Sequence, residues 1–337
     1  MRAVRLPRVG TVQLESVPEP VPAEGELLLR VTAAGICGSD RHLLAGEYPA
    51  APPVTLGHEV EGVVVGAGPG TSLPLGTRVA VDPNISCGAC PYCRRGLVSH
   101  CGQLRAIGVD RDGGLADLVA VPQAQAYELP ADLPTGFGAL CEPLACCLRA
   151  MDQAGVQPGD SVAVFGGGVI GQLLAQLCRL AGASVLLVTR QAEKRALAER
   201  LGAQATMAPP SSDGAAAISG PQGFAPGGVD VAFEAAGVAA TFVGSLQVVR
   251  RAGTVVVVGA APASMTVPVR PFELFERELK VVGSHLNPLT HARAVELAAS
   301  GRLALAPLVT STIGLEEVPA AIAAKPPRGE VKVHALP

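Results

Sequence analysis

Between residues 161 and 201 an apolar run, a glycine turn, a helical pattern, a second strand pattern and a second helical pattern follow one another without a break. The turn reads Gly166-Gly167-Gly168-Val169-Ile170-Gly171, which matches G-x-G-x-x-G. Glycines so placed permit a tight turn, close approach of a pyrophosphate to the helix N-terminus, and close helix–strand packing. The motif alone is weak. A strand before it, with a helix and strand after it, makes it a strong dinucleotide signal, with a glycine-rich turn as the bland alternative. Gly166, Gly168, Val169, Ile170 and Gly171 are therefore candidate cofactor-binding residues. Strand and helix patterns go on alternating through 229–234 and 254–259 to Val281, predicting βαβ units around a parallel sheet. Gly259, at the end of one such strand, joins the cofactor candidates. The Gly/Ala/Pro-rich stretch 211–228 predicts a surface loop.

The second strand of the unit, 184–188, decides the cofactor. A carboxylate at its end would hold the ribose 2′-OH of NAD. Here Thr189-Arg190 follows, and no acid comes before Glu193. A hydroxyl followed by a guanidinium suits a 2′-phosphate, so NADP is expected over NAD. Lys194 adds charge; Arg195 reads better as part of a solvated face.

The 337 residues suggest about two domains. Residues 1–145 read as β-rich, with short runs at 26–32, 60–65, 78–81 and 117–121 between Gly/Pro turns. From 285 onward the pattern is mixed and rejoins the first domain. With 49% apolar residues the chain can bury a core, and with ten Phe and Tyr and no Trp that core is aliphatic. A net charge of −3 gives no basic surface for nucleic acid. Arg2, Arg5 and Arg8 precede no apolar run before Pro18, so no signal peptide is read. The most apolar region, 161–188, is interrupted by glycines, Gln172, Gln176 and Arg179, so no membrane span is expected. A cytoplasmic location follows, where nine cysteines read as ligands, catalytic groups or packed thiols rather than disulfides.

Cys87, Cys90, Cys93 and Cys101 are spaced C-x2-C-x2-C-x7-C. One tight loop can place four such thiolates around Zn²⁺ with no open position, which is a structural site. An iron–sulfur cluster shares the spacing, and a redox dithiol fits it badly. A second set is more dispersed. Cys37, in Gly35-Ile36-Cys37-Gly38-Ser39-Asp40-Arg41-His42, precedes Gly57-His58-Glu59 by about 20 residues, all in glycine-flanked turns. Each residue alone reads as packing or a hydrogen-bonded side chain. Together, Cys37, His58 and Glu59 are a catalytic zinc pattern with one open position. Glu142, in Leu140-Cys141-Glu142-Pro143-Leu144, lies in an apolar stretch where an unpaired charge would be costly, and it can complete the set. Such a metal binds an alcohol oxygen as a Lewis acid. Ser39 and His42, two and five residues after Cys37, can relay the proton outward.

Together these residues resemble the zinc-dependent medium-chain dehydrogenase/reductase superfamily over essentially the whole chain. Gly57-His58-Glu59, the four-cysteine lobe, Gly113-Gly114-Leu115-Ala116-Asp117 and the fingerprint stand in family order. The resemblance implies an α/β chain: a GroES-like β-rich catalytic domain (1–145 and 285–337, zinc lobe about 84–104) and a Rossmann doubly wound parallel sheet domain (146–284), with the active site in the cleft. It implies two zinc ions per chain, one catalytic at Cys37, His58 and Glu59 and one structural at the four cysteines. It implies Ser39 and His42 as proton relay, and a homodimer or homotetramer. Cys37-Gly38-Ser39-Asp40 with Glu142-Pro143-Leu144 looks most like the polyol branch, sorbitol and related dehydrogenases. The ethanol branch uses a cysteine as third ligand, and Cys141 would supply it after a one-residue shift; Glu-Pro-Leu favours Glu142. Tyr48 and 283–287 fall near the family's substrate pocket, where 283–287 lacks the arginine of the polyol pattern. The expected activity is hydride transfer between a secondary alcohol or polyol and NADP. The alternatives are an NAD-dependent enzyme of the superfamily, a zinc-free quinone or enoyl reductase, which would lack the ligand sets, and a non-catalytic nucleotide-binding protein on this fold.

Overall fold

A computed structural model describes residues 1–209 and 224–337; most of the loop expected at 211–228 lies outside the described residues. In chain order the elements are β1 Arg2–Arg8, β2 Thr11–Ser16, β3 Glu26–Ile36, α1 Gly38–Ala45, β4 Val54–Thr55, β5 Glu59–Ala67, β6 Arg78–Val81, β7 Asn84–Ile85, β8 Arg105–Ala106, β9 Leu118–Pro122, β10 Ala126–Glu128 and α2 Cys141–Ala154. Then come β11 Ser161–Phe165, α3 Val169–Leu180, β12 Ser184–Val188, α4 Ala192–Arg200, β13 Ala205–Met207, β14 Val229–Glu234, α5 Ala239–Val248, β15 Val249–Val257, α6 Pro271–Glu276 and β16 Lys280–Gly283. The chain closes with α7 His291–Ala299, β17 Val309–Ile313, α8 Val318–Ala323 and β18 Lys332–Ala335.

Two compact units result. One holds Met1–Ala145, Leu286–Pro327 and Lys332–Pro337; the other holds Cys146–His285 and Arg328–Val331. The first unit is built on a sheet ordered β10-β6-β5-β3-β18-β17, with β9 also paired to β3. Along β3, Leu27, Leu29 and Val31 alternate inward. They pack with Val60 and Val64 of β5 and Val79 and Val81 of β6 in an aliphatic core. Each such side chain contributes about 1.5–3 kcal/mol on burial. β5 and β18 flank β3 antiparallel, so that Gly35 faces both Glu59 and His334. This register brings three distant stretches of sequence to one end of the sheet.

The second unit is a six-stranded, all-parallel sheet ordered β13-β12-β11-β14-β15-β16. With β11 counted first, the order is the dinucleotide-binding one, reversing direction between β11 and β14. Its strands are buried on both faces; Val185, Leu186, Leu187 and Val188 are all at most 2% exposed. β15 starts at Val249, five residues before the expected 254. Its first residues, Arg250 to Gly253, look like a turn in sequence, and the ladder to β14 shifts register there. No helix among the described residues is long and apolar enough to cross a membrane.

Candidate metal centres and cofactor site

Cys37 follows the last residue of β3 and caps α1, and His58 precedes the first residue of β5. They stand at strand ends rather than in free turns. The thiol of Cys37, a ring nitrogen of His58 and a carboxylate oxygen of Glu59 all lie within 4.8 Å of one another. Glycine is required at position 35, because a Cβ there would sit 1.9 Å from Glu59 Oε2. The Cys37 N–H donates to Asp40 Oδ2 at 2.8 Å, and Asp40 is fully buried. His58 Nδ1 is buried with no hydrogen-bond partner and lies 3.7 Å from Asp40 Oδ1, which is equally orphaned. Burial alone would depress the imidazole pKa, but Cys37, Asp40 and Glu142 push it well above its ordinary value. A ring nitrogen, a thiol and a carboxylate oxygen brought together beside an orphaned buried imidazole atom are a donor set that fits a divalent cation.

Glu59 has a partner invisible in the sequence. Lys332, at the start of β18 and 2% exposed, donates Nζ to both Glu59 oxygens at 2.6 and 2.7 Å and to the Ile36 carbonyl at 3.0 Å. Both oxygens of Glu59 are thus engaged by one ammonium. Glu142 is the second residue of α2 and 8% exposed, and its charge acts on both His58 and Lys332. It stands outside the 4.8 Å group. Cys141 points elsewhere: its thiol donates to the Phe137 carbonyl at 3.7 Å, and burial pushes its pKa up to about 12.

Ser39 lies in the first turn of α1, 3.7 Å from the Cys37 sulfur. His42 is three residues on, on the same helix face. Its Nδ1 is 2.5 Å from Glu47 Oε2, and its ring stacks on Tyr48 with centroids 5.0 Å apart. Glu47 is a second partner in this group that spacing alone gives no reason to select.

Cys87, Cys90, Cys93 and Cys101 form the other convergent group, their sulfurs within 4.8 Å of each other and none in a disulfide. Two Sγ···Sγ separations are 3.5 and 3.9 Å. The edge of a tetrahedron with sulfurs about 2.3 Å from its centre is about 3.8 Å. The N–H groups of Cys90, Cys93 and Gln103 donate to the sulfurs of Cys87, Cys90 and Cys101 at 3.3–3.5 Å. N–H donation of this kind favours thiolate: backbone donors from Ala89 and Cys90 bring the Cys87 thiol down to about 6.

In the second unit, Gly166 follows β11 and Gly168 caps α3, with Val169 and Ile170 opening the helix. A Cβ on Gly171 would lie 1.9 Å from the Gly166 carbonyl oxygen, so turn and helix meet only through glycine. The N-terminus of this 12-residue helix has no side-chain cap, and nothing lies within 4 Å of where a Gly168 Cβ would point. Open, uncapped N–H groups fit a phosphate. Thr189 and Arg190 follow β12. Arg195 is spent locally, donating to the carbonyls of Thr189 and Arg190 at 2.7 and 3.1 Å. Lys194 packs beside Gly167, and burial depresses its ammonium pKa. The Gln191 side-chain oxygen accepts the Gly329 N–H at 2.8 Å. Gly259 follows β15 against Glu234, a buried acid that accepts the N–H groups of Ala236 and Gly237 at 2.9 Å.

Residues 23–131 match the alcohol dehydrogenase GroES-like domain, and residues 169–300 match the zinc-binding dehydrogenase family. The 2-dehydro-3-deoxy-L-galactonate 5-dehydrogenase of Pseudoalteromonas atlantica is 33% identical over 90% of this chain and 88% of its own length. The D-altritol 5-dehydrogenase of Agrobacterium fabrum is 32% identical over 94% of each chain. A Sinorhizobium meliloti 1021 structure bound to NADP is 50% identical, superposes with a TM-score of 0.96, and covers 100% of this chain and 99% of its own.

Proposed function

Since the chain belongs to the zinc-dependent medium-chain dehydrogenase/reductase family and is an oxidoreductase of its alcohol and polyol dehydrogenase kind, we propose that it transfers hydride between a secondary carbon of a polyol or other hydroxyl-rich substrate and NADP. We assign Cys37, His58 and Glu142 as the catalytic zinc ligands. The observation that supports this set is the Lys332–Glu59 pair, in which one ammonium engages both Glu59 oxygens, while the buried Glu142 carries its charge beside His58. Cys87, Cys90, Cys93 and Cys101 would hold a second, structural zinc.

When bound, the catalytic zinc supplies Lewis acidity at a substrate oxygen and NADP supplies the hydride acceptor. The chain's own residues handle the proton. Ser39 Oγ, beside Cys37, takes the hydroxyl proton and passes it along α1 to His42. With its Nδ1–H donated to Glu47, the ring keeps Nε2 as the acceptor. Glu47 and Tyr48 hold the imidazole in place for that transfer.

The cofactor preference rests on Thr189-Arg190. No carboxylate closes β12, and Gln191, the remaining partner for a ribose 2′-OH, has its oxygen occupied by Gly329. A charge-assisted contact to the 2′-phosphate contributes about 1.5–3 kcal/mol, roughly ten- to hundredfold. Named relatives act on a deoxy sugar acid and on D-altritol, which supports the hydroxyl-rich substrate. A kinetic screen of polyols, sugar acids and simple alcohols with both cofactors tests the reading. The expected result is higher kcat/KM with NADP, reversed in Thr189→Asp with Arg190→Ile. Equal or better turnover with NAD by the wild type refutes the preference, and turnover confined to primary monoalcohols refutes the substrate class.

A further inference from the structure

Two residues beyond Glu59, on the same face of β5, stands a second fully buried carboxylate, Glu61. Nothing in the chemistry so far uses it. An ionised carboxylate in a core is costly unless its oxygens are satisfied, and here both are. Oε2 accepts the backbone N–H of Gly136 at 2.7 Å and of Gly138 at 2.9 Å. Oε1 takes Arg78 Nη2 at 2.9 Å and the Thr32 hydroxyl at 3.3 Å. Thr32 reaches it because β3 shifts register against β5 between Val31 and Ala33, opposite Glu61. Arg78 continues the grip, donating Nη1 to the Leu133 carbonyl at 2.7 Å.

Thr32 and Arg78 hold the carboxylate from β3 and β6, while Gly136, Gly138 and the Arg78 acceptor Leu133 lie on the connection from β10 to α2. That connection ends in a 3-10 turn, Gly138–Leu140, running directly into Cys141 and Glu142. The fit against Glu61 is tight: a Cβ on Gly138 would lie 2.9 Å from Glu61 Cγ and 3.0 Å from Oε2. The strand that starts at Glu59, directly after His58, therefore bears on where the helix carrying Glu142 begins. A slip of one residue moves the helix by about 1.5 Å and turns it through about 100°. That exchanges Glu142 for Cys141 or Pro143.

We propose that Glu61 is a positioning residue for Glu142: its buried carboxylate holds the 136–138 backbone so that α2 starts with Glu142 beside Cys37 and His58. The inference rests on Glu142 being a zinc ligand, and the experiment separates the two. Glu61→Ala, Glu61→Gln, Gly138→Ala and Glu142→Ala are purified with both sites loaded. Zinc release to a chelator is then followed, together with the absorption spectrum of cobalt placed in the single-thiolate site. Loss of a group that orients a ligand weakens metal binding by roughly ten- to hundredfold. Glu61→Ala and Gly138→Ala are expected to release the catalytic zinc that much more readily and to shift the cobalt spectrum, with the four-cysteine zinc retained. Glu61→Gln keeps one acceptor and the volume, so it is expected to lie between them and the wild type, and it carries the comparison if the alanine variant does not fold. A lower melting temperature in the Glu61 variants with wild-type zinc release and spectrum, beside a weakened Glu142→Ala, makes Glu61 a loop anchor only and overturns the inference. Wild-type zinc release in Glu142→Ala removes the ligand reading itself, and the inference with it.

Discussion

Replacing Lys332 with Met keeps much of the side-chain volume and removes the only cation that touches Glu59 among the described residues. The pair is 2% and 0% exposed, bidentate, and shares its ammonium with the Ile36 carbonyl. Breaking a buried pair from one side costs about 3–5 kcal/mol, because the remaining charge is left uncompensated. For a unit of this size each kcal/mol is worth roughly 2–4 °C, so the melting temperature should fall by roughly 6–20 °C. The loss should also depend on pH. Burial alone would raise the Glu59 pKa, but Lys332 and then His58 bring it below its ordinary value. In the wild type its ionised form therefore contributes stability above the unfolded-state pKa of about 4.3, and that contribution is lost as pH falls through the folded value. In the variant burial dominates and the folded pKa lies above the ordinary value. Stability is then lost as pH rises past the carboxylate range, so the deficit at pH 7 exceeds that at pH 5. Glu59→Gln in the Lys332→Met background removes the stranded charge and should recover part of the loss. Calorimetry at both pH values checks this. A drop under about 1 kcal/mol, equal at both pH values and unrelieved by the second substitution, refutes the reasoning.

Three further outcomes are expected. Metal analysis should find about two zinc ions per chain in the wild type and about one in Cys90→Ser, with a lower melting temperature; iron with sulfide, or at most one zinc in the wild type, contradicts it. Glu142→Ala should lower kcat/KM at least about tenfold with NADP affinity intact, and Cys141→Ala should keep turnover; the opposite pattern moves the ligand one residue earlier. We also propose a homo-oligomer joined through β16, the edge strand of its sheet among the described residues, and the exposed rings of Phe272 and Phe275 on α6. Val281→Lys with Phe275→Lys should then reduce the mass found by light scattering to that of one chain.

The parallel sheet is legible in sequence because strands buried on both faces read as short, mostly apolar runs. The runs at 161–165, 184–188 and 229–234 coincide with β11, β12 and β14. α1 is not legible. Gly38, Ser39 and Asp40 are poor helix formers, and the helix exists because the Asp40 side chain takes the N–H of Cys37. β1 is masked by Arg2, Arg5 and Arg8, whose charges hide the inward Ala3, Val4 and Leu6. Lys332, in Glu330-Val331-Lys332-Val333-His334, reads as the wet face of an edge strand. Its role depends on a carboxylate 273 residues away, which spacing cannot supply. Glu61 fails for a related reason, since two of its four partners are backbone N–H groups with no side-chain signature, and the other two come from separate strands.

Counted by charge, the residues around the proposed catalytic site explain why both Glu59 and Lys332 are there. Burial raises the pKa of Asp40, which stands 3.7 Å from His58 Nδ1 and outside the three proposed ligands. Lys332 cancels Glu59. Among the three proposed ligands the charges are then those of the Cys37 thiolate and the Glu142 carboxylate, with a neutral His58 beside them. Two negative charges and an imidazole match a dication without excess. Without a cation those same charges hold a proton on His58, which is the direction its pKa takes. Removing Lys332 would leave one anion too many, and removing Glu142 one too few. The buried lysine therefore balances the charge that a metal at this point must meet, although it touches none of the three proposed ligands.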